Sequence, residues 1–144
     1  MKTDNEIKIF LVDDDALFLK VLEIELGNIG NFIVESFSTG ELCLARLSQY
    51  PDLVILDYHL DSIDKNAMNG ISTLDKIKTV YPYLPVVMLS SQDKIEVAVN
   101  CMHHKAFDYV VKSETAFLHL KKIILNVLRY QKLEKELNWY MERM

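Results

Sequence analysis

Five short runs along the chain are almost wholly apolar: Ile9-Phe10-Leu11-Val12, Phe32-Ile33-Val34, Leu53-Val54-Ile55-Leu56, Val86-Val87-Met88-Leu89 and Tyr109-Val110-Val111. Each has strand length, and none alternates with polar residues. That pattern predicts parallel strands covered on both faces. The segments between them are amphipathic. Leu19, Leu22 and Leu26 mark a first helix from Ala16, and Ser38-Thr39-Gly40-Glu41 has the form of a capping box opening a second from Leu42 to Leu47. Ile71, Leu74 and Ile77 mark a third, and Ile95, Ala98, Val99 and Met102 a fourth. Ser113 caps a fifth that starts near Glu114. Strand and helix alternate strictly, which predicts an α/β domain with a parallel sheet, right-handed crossovers and helices on both faces.

Composition narrows the function more than the fold. The chain has 144 residues and a formal net charge of -5. An acidic domain has no overall field to attract polyanions, so direct nucleic-acid binding is not expected. No apolar run is long enough to span a membrane, and Met1 to Glu6 lack the apolar core of a signal peptide. Cys43 and Cys101 lie among apolar neighbours and read as reduced thiols of a cytoplasmic protein. Two cysteines are too few for a structural zinc site.

In open parallel sheets, ligands bind beyond the carboxyl ends of the strands. Here the first run ends in Asp13-Asp14-Asp15, the third in Asp57 and the fourth in Ser90-Ser91, and the fifth is followed by Lys112. Taken singly, each has a plain structural reading, and Asp15 is expected to be the N-cap of the first helix. Taken together, acids, a hydroxyl and an amine converge on one rim. Two carboxylates about 5 Å apart repel by roughly 3 kcal/mol at an effective dielectric of 20. Asp13, Asp14 and Asp57 carry three negative charges against the one positive charge of Lys112, which calls for a divalent cation. An all-oxygen site suits Mg²⁺ completed by phosphate oxygens. A carboxylate beside Mg²⁺, an ammonium and a hydroxyl has the parts for attack on phosphorus.

These segments, with Asp52 to Leu60, Pro85 to Ser90 and Ala106 to Lys112, resemble the receiver domain of two-component response regulators over about Ile7 to Tyr130. The resemblance implies a flavodoxin-like doubly wound five-stranded sheet, order 2-1-3-4-5. It implies Asp57 as phosphoacceptor, with Mg²⁺ held by Asp13, Asp14, Asp57 and the backbone carbonyl of His59. Ser90 and Lys112 would bind the phosphoryl group. Ser90 and Tyr109 would form the switch, and His59 and Gln92 would tune the phosphoryl lifetime. The implied partner is a histidine kinase or histidine phosphotransfer protein. A homodimer would form through the surface of helix four, strand five and helix five, or through the C-terminal helix.

The chain departs from the family pattern in three places. Gly70 comes thirteen residues after Asp57, later than the family's glycine, so residues 61–69 are an insertion at the site rim. It reads either as a selector of kinase or phosphatase or as a tolerated surface loop. Ser113 follows Lys112 where the family has a cis proline, so a trans bond and an altered approach of Lys112 are expected. Helical sequence also continues past Tyr130 to Met144, with a near-heptad series Ile123, Val127, Tyr130, Glu134, Leu137, Met141, Met144 that Glu134 interrupts. The expected division is a receiver over 1–130 and an extended C-terminal helix over 131–144, a linker toward an output domain in a longer transcription regulator. His103-His104 reads as helix-end surface.

Three other readings use the same residues. A phosphohydrolase of haloacid-dehalogenase type shares the Asp, Mg²⁺, hydroxyl and Lys, but wants an acid where His59 stands. A flavodoxin-like cofactor binder would not place three aspartates at its phosphate loop. A pseudo-receiver would lack the intact set.

Overall fold

The structure is a computed structural model describing residues 6–144; of the residues read for a signal peptide, Met1 to Glu6, the first five lie outside the described part. The strands are β1 (Ile7–Val12), β2 (Phe32–Phe37), β3 (Leu53–Asp57), β4 (Val86–Ser90) and β5 (Asp108–Val111). The helices are α1 (Ala16–Ile29), α2 (Gly40–Ala45), α3 (Gly70–Val80), α4 (Ile95–His103) and α5 (Ala116–Glu142). All strand pairs are parallel, in the order β2-β1-β3-β4-β5.

Period-two geometry explains why the central strands read as unbroken apolar runs. Phe10, Val12, Val54, Leu56, Val86 and Met88 point to one face, where they pack with Leu74 and Ile77 of α3 and Val97 and Cys101 of α4. Ile9, Leu11, Leu53, Ile55, Val87 and Leu89 point to the other, against Leu19, Leu22 and Leu26 of α1 and Leu120, Ile123, Ile124 and Val127 of α5. Cys43 and Cys101 are buried free thiols, and burial pushes the first up to about 12 and the second to about 11.

The helix ends refine the sequence reading. Asp15 caps α1 as expected, accepting from the Leu17 and Phe18 amides at 3.1 Å each. The second helix is capped by Thr39, one residue beyond Ser38, through the Leu42 amide. The fifth begins after Thr115, and Ser113 makes a hydroxyl contact with Thr115 at 3.2 Å in place of a cap. The buried residues of α4 are Val97 and Cys101, whereas Ile95, Val99 and Met102 face outward. Apolar residues cover more than half the circumference of this nine-residue helix, opposite Glu96, Asn100 and His103, so the buried positions cannot be picked out from the pattern alone. His104 is not bare surface: its Nδ1 lies 2.8 Å from Asp75 Oδ1 on α3. No helix among the described residues is long and apolar enough to cross a membrane.

Candidate functional site

The parallel register brings the four strand ends level. Val12 is paired with Leu56, Asp57 with Leu89, and Ser90 with Val111. The residues after β1 and β5 and at the ends of β3 and β4 therefore share one rim. Carboxylate oxygens of Asp13, Asp14 and Asp57 lie within 4.8 Å of one another. Asp13 and Asp57 are buried, at 1% and 3% exposure. Asp14 is half-buried.

Lys112 reaches this cluster from the end of β5. Its Nζ is 2.7 Å from Asp13 Oδ2 and 3.5 Å from Asp57 Oδ1. The ammonium also sits 4.5 Å from the centre of the Phe18 ring, which stacks on Phe117. Burial pulls the Lys112 pKa down, but the two carboxylates outweigh it and raise it above the ordinary lysine value. All peptide bonds of the described residues are trans, that to Ser113 included.

Asp57 is the group most perturbed by this arrangement. Burial, then the charge of Asp13, raises its pKa to about 7, against the lowering effects of Lys112 and of the His59 amide, which donates to Asp57 Oδ1 at 3.2 Å. Held at this density, the carboxylates favour a proton or a cation among them. The donors are hard oxygens, three carboxylates with the His59 carbonyl close by in sequence, and this donor chemistry fits Mg²⁺.

Ser90 is fully buried and accepts a hydrogen bond from the Gln92 amide at 3.1 Å. The Tyr109 hydroxyl donates to the Gln92 carbonyl, so the ring lies inward, packed against the core beside α4. Burial raises the Tyr109 phenol pKa. The imidazole of His59 is half-buried, with Nε2 enclosed and unpartnered, and its ring meets Tyr58 edge-on at 4.8 Å. Gly70 explains how α3 comes so close: a Cβ there would collide with the Asp57 carbonyl oxygen and lie 2.7 Å from Tyr58 Cα. The backbone amide of Gly70 donates to the Tyr58 carbonyl at 3.1 Å.

Of the residues expected at the site, Asp14, Asp57, His59 and Lys112 line a cleft of about 600 Å³ together with Ser62 and Ile63 of the insertion; Asp13 and Ser90 are buried at the strand ends beside it. Three contributions escaped the sequence reading. Phe18 sits one position off the buried stripe of α1. Ser62 and Ile63 belong to the insertion; the Ser62 hydroxyl donates to the His59 carbonyl at 2.7 Å, and the Ile63 amide donates to Asp14 Oδ2 at 3.3 Å. A backbone donor carries no residue-type signature, and the length of the insertion was the one available hint.

Comparison with known proteins agrees with this geometry. Residues 9–124 match the model of the response regulator receiver domain. The chain is 32% identical over 105 residues to the DNA-binding transcriptional regulator NtrC of Salmonella typhimurium, covering 72% of this chain and 21% of that protein. It is 31% identical over 137 residues to a protein-glutamate methylesterase/protein-glutamine glutaminase of Treponema pallidum, covering 90% and 32%. Among solved structures, NtrX from Brucella abortus superimposes with a TM-score of 0.80 at 28% identity, over 96% of this chain and 31% of that one. The chain therefore spans a third or less of the length of these relatives. A match over most of the chain, on the expected sheet order and with the acids gathered at the expected rim, makes it a member of the response regulator receiver domain family.

Proposed function

We propose that the chain is a phosphoacceptor switch in which Asp57 takes a phosphoryl group from a phosphohistidine of a histidine kinase or histidine phosphotransfer protein. An Asp57 carboxylate oxygen attacks phosphorus as the N–P bond breaks. The imidazole, protonated on its other nitrogen, leaves neutral with the bonding pair, and an acyl phosphate remains. The observation that carries this reading is the buried Asp57 carboxylate held between Asp13 and the Lys112 ammonium. Lys112 would neutralise a phosphoryl oxygen, and the Ser90 hydroxyl, turned toward the group, would donate to another. Asp13, Asp14, Asp57 and the His59 carbonyl would hold a Mg²⁺, whose positive charge stabilises the equatorial oxygens. His59, which lines the cleft, and Gln92, two residues past Ser90, would tune access of the water that ends the phosphorylated state.

The switch follows from the hydrogen bonds around Ser90. Turning its hydroxyl toward a phosphoryl group releases the Gln92 amide, and the Tyr109 ring, now bonded to the Gln92 carbonyl, repacks. The face altered is that of α4, β5 and α5, where Ile95, Val99 and Met102 are already exposed. That face, or the tail of α5, would pair two copies. Residues 1–130 form the receiver in this reading, and 131–144 lead toward an output domain, in a cytoplasmic regulator of transcription. The contact with nucleic acid would belong to the output domain.

The test is incubation with acetyl phosphate and Mg²⁺, followed by intact mass and peptide mapping. One base-labile phosphoryl adduct at Asp57, absent from Asp57→Asn, is the expected result. An inert chain would indicate a binding module without phosphorylation, and turnover of small phosphomonoesters a hydrolase.

A further inference from the structure

The insertion at 61–69 is fastened to the rim at both ends. Near its start, Ser62 Oγ donates to the His59 carbonyl at 2.7 Å and the Ile63 amide to Asp14 Oδ2 at 3.3 Å. Its middle is a turn in which Asp64 accepts from the Asn66 amide through its carboxylate and from the Ala67 amide through its carbonyl, at 3.0 Å each. Near its end, the Met68 amide donates to both carboxylate oxygens of Glu41, in the first turn of α2, at 3.3 Å. Ile63 is 77% exposed, so the start of the segment is held at the site by these polar contacts and not by burial of its one large apolar residue there.

Both acceptors near the start of the loop are oxygens of the proposed Mg²⁺ site, and they come from different segments. Asp14 follows β1, and His59 follows β3. A carbonyl oxygen has two lone pairs and a carboxylate about four acceptor positions. Each can therefore keep its hydrogen bond and still offer an oxygen to a cation. Donors behind a ligand fix its rotamer and direction, and losing them typically weakens metal affinity about 10–100-fold. Resting on the phosphoacceptor reading, we propose that the insertion is a clamp on the metal site. The Ser62 hydroxyl and the Ile63 amide are its positioning groups, holding the His59 carbonyl and the Asp14 carboxylate for one cation.

The experiment is calorimetric titration of the metal-free chain with MgCl₂ at fixed pH, comparing wild type, Ser62→Ala, Ser62→Thr and Ile63→Pro. Ser62→Ala and Ile63→Pro should each raise the Mg²⁺ Kd several-fold, and their combination about 10-fold or more. Ser62→Thr, which keeps the hydroxyl, should bind as wild type does. Backbone amide spectra of each variant establish that the sheet is intact. An unchanged Kd in both single variants would overturn the clamp and leave the metal site standing. A lower Kd would also overturn it, because the loop would then compete with the cation. Absence of Mg²⁺ binding by the wild type would remove the metal site itself, and the clamp with it.

Discussion

The two packed faces of the sheet and its carboxyl rim are built from the same strands by opposite rules. On the faces, every central-strand position from Ile9 to Val12 is fully or almost fully buried and apolar, matched to an apolar stripe on a helix. One residue further on, Asp13 is as buried as Val12, yet it is charged and faces two more carboxylates. The faces make the fold stable. The rim draws on that stability to hold charges that repel one another in the absence of a cation. Truncation on a face should therefore destabilise, whereas neutralisation at the rim should stabilise the metal-free domain and remove its chemistry.

The largest effect is expected on the faces. Phe10 is fully buried and meets Phe37 edge-on at 4.9 Å. Phe10→Ala should cost about 3–5 kcal/mol, read from urea unfolding. A loss of under about 1 kcal/mol would show that this face relaxes around the gap, and the contrast with the rim would weaken.

The rim gives the opposite sign. In the metal-free domain, Asp57→Asn should raise stability by about 1–3 kcal/mol at mildly alkaline pH, because one of the clustered charges is gone. The pH dependence follows from the raised pKa. Asp57 holds its proton to about 7 when folded, against 3.8 as the ordinary value. Across that window the folded state binds more protons than the unfolded one, so metal-free stability falls as pH rises from about 4 through 7. Thermal unfolding in a chelator should show this slope flattened in Asp57→Asn. Added Mg²⁺ should restore the wild type at high pH and help the variant far less. A variant no more stable than wild type would mean that Lys112 already balances the cluster.

The same contrast decides what could be read without the structure. The faces were legible because both sides of each central strand are apolar, and parallel pairing then follows from βα alternation. The rim acids were legible because Asp13, Asp14 and Asp57 stand at positions where the apolar runs stop. The outward side of α4 differs from the reading because Ile95, Val99 and Met102 are as apolar as Val97 and Cys101, and only the packing of the last two against the sheet tells them apart. In the tail of α5, Tyr130 and Leu137 from the near-heptad series are exposed together with Leu133 and Tyr140, a series that avoids Glu134. The clamp was not legible, since one of its two donors is a backbone amide.

The smallest expected effect separates strain from function. Lys105 has φ 72, the left-handed region, one residue past the C-cap of α4. Its amide donates to the Met102 carbonyl at 3.0 Å, and that of Ala106 to the Cys101 carbonyl at 3.1 Å, the bonding of a helix end that favours glycine. This end of α4 leads into β5 at the edge of the sheet opposite the acidic rim. Lys105 also faces Lys78, whose pKa is lowered by burial and then by Lys105. Lys105→Gly relieves both penalties and loses some stability to the freer unfolded chain, for a net gain of about 0.5–1 kcal/mol. Unlike Asp57→Asn, it should leave Mg²⁺ affinity and the phosphoryl adduct unchanged. A gain in stability at both positions, with chemistry lost at only one, would show that the cost held at the rim belongs to the site, while the cost at Lys105 belongs to the turn alone.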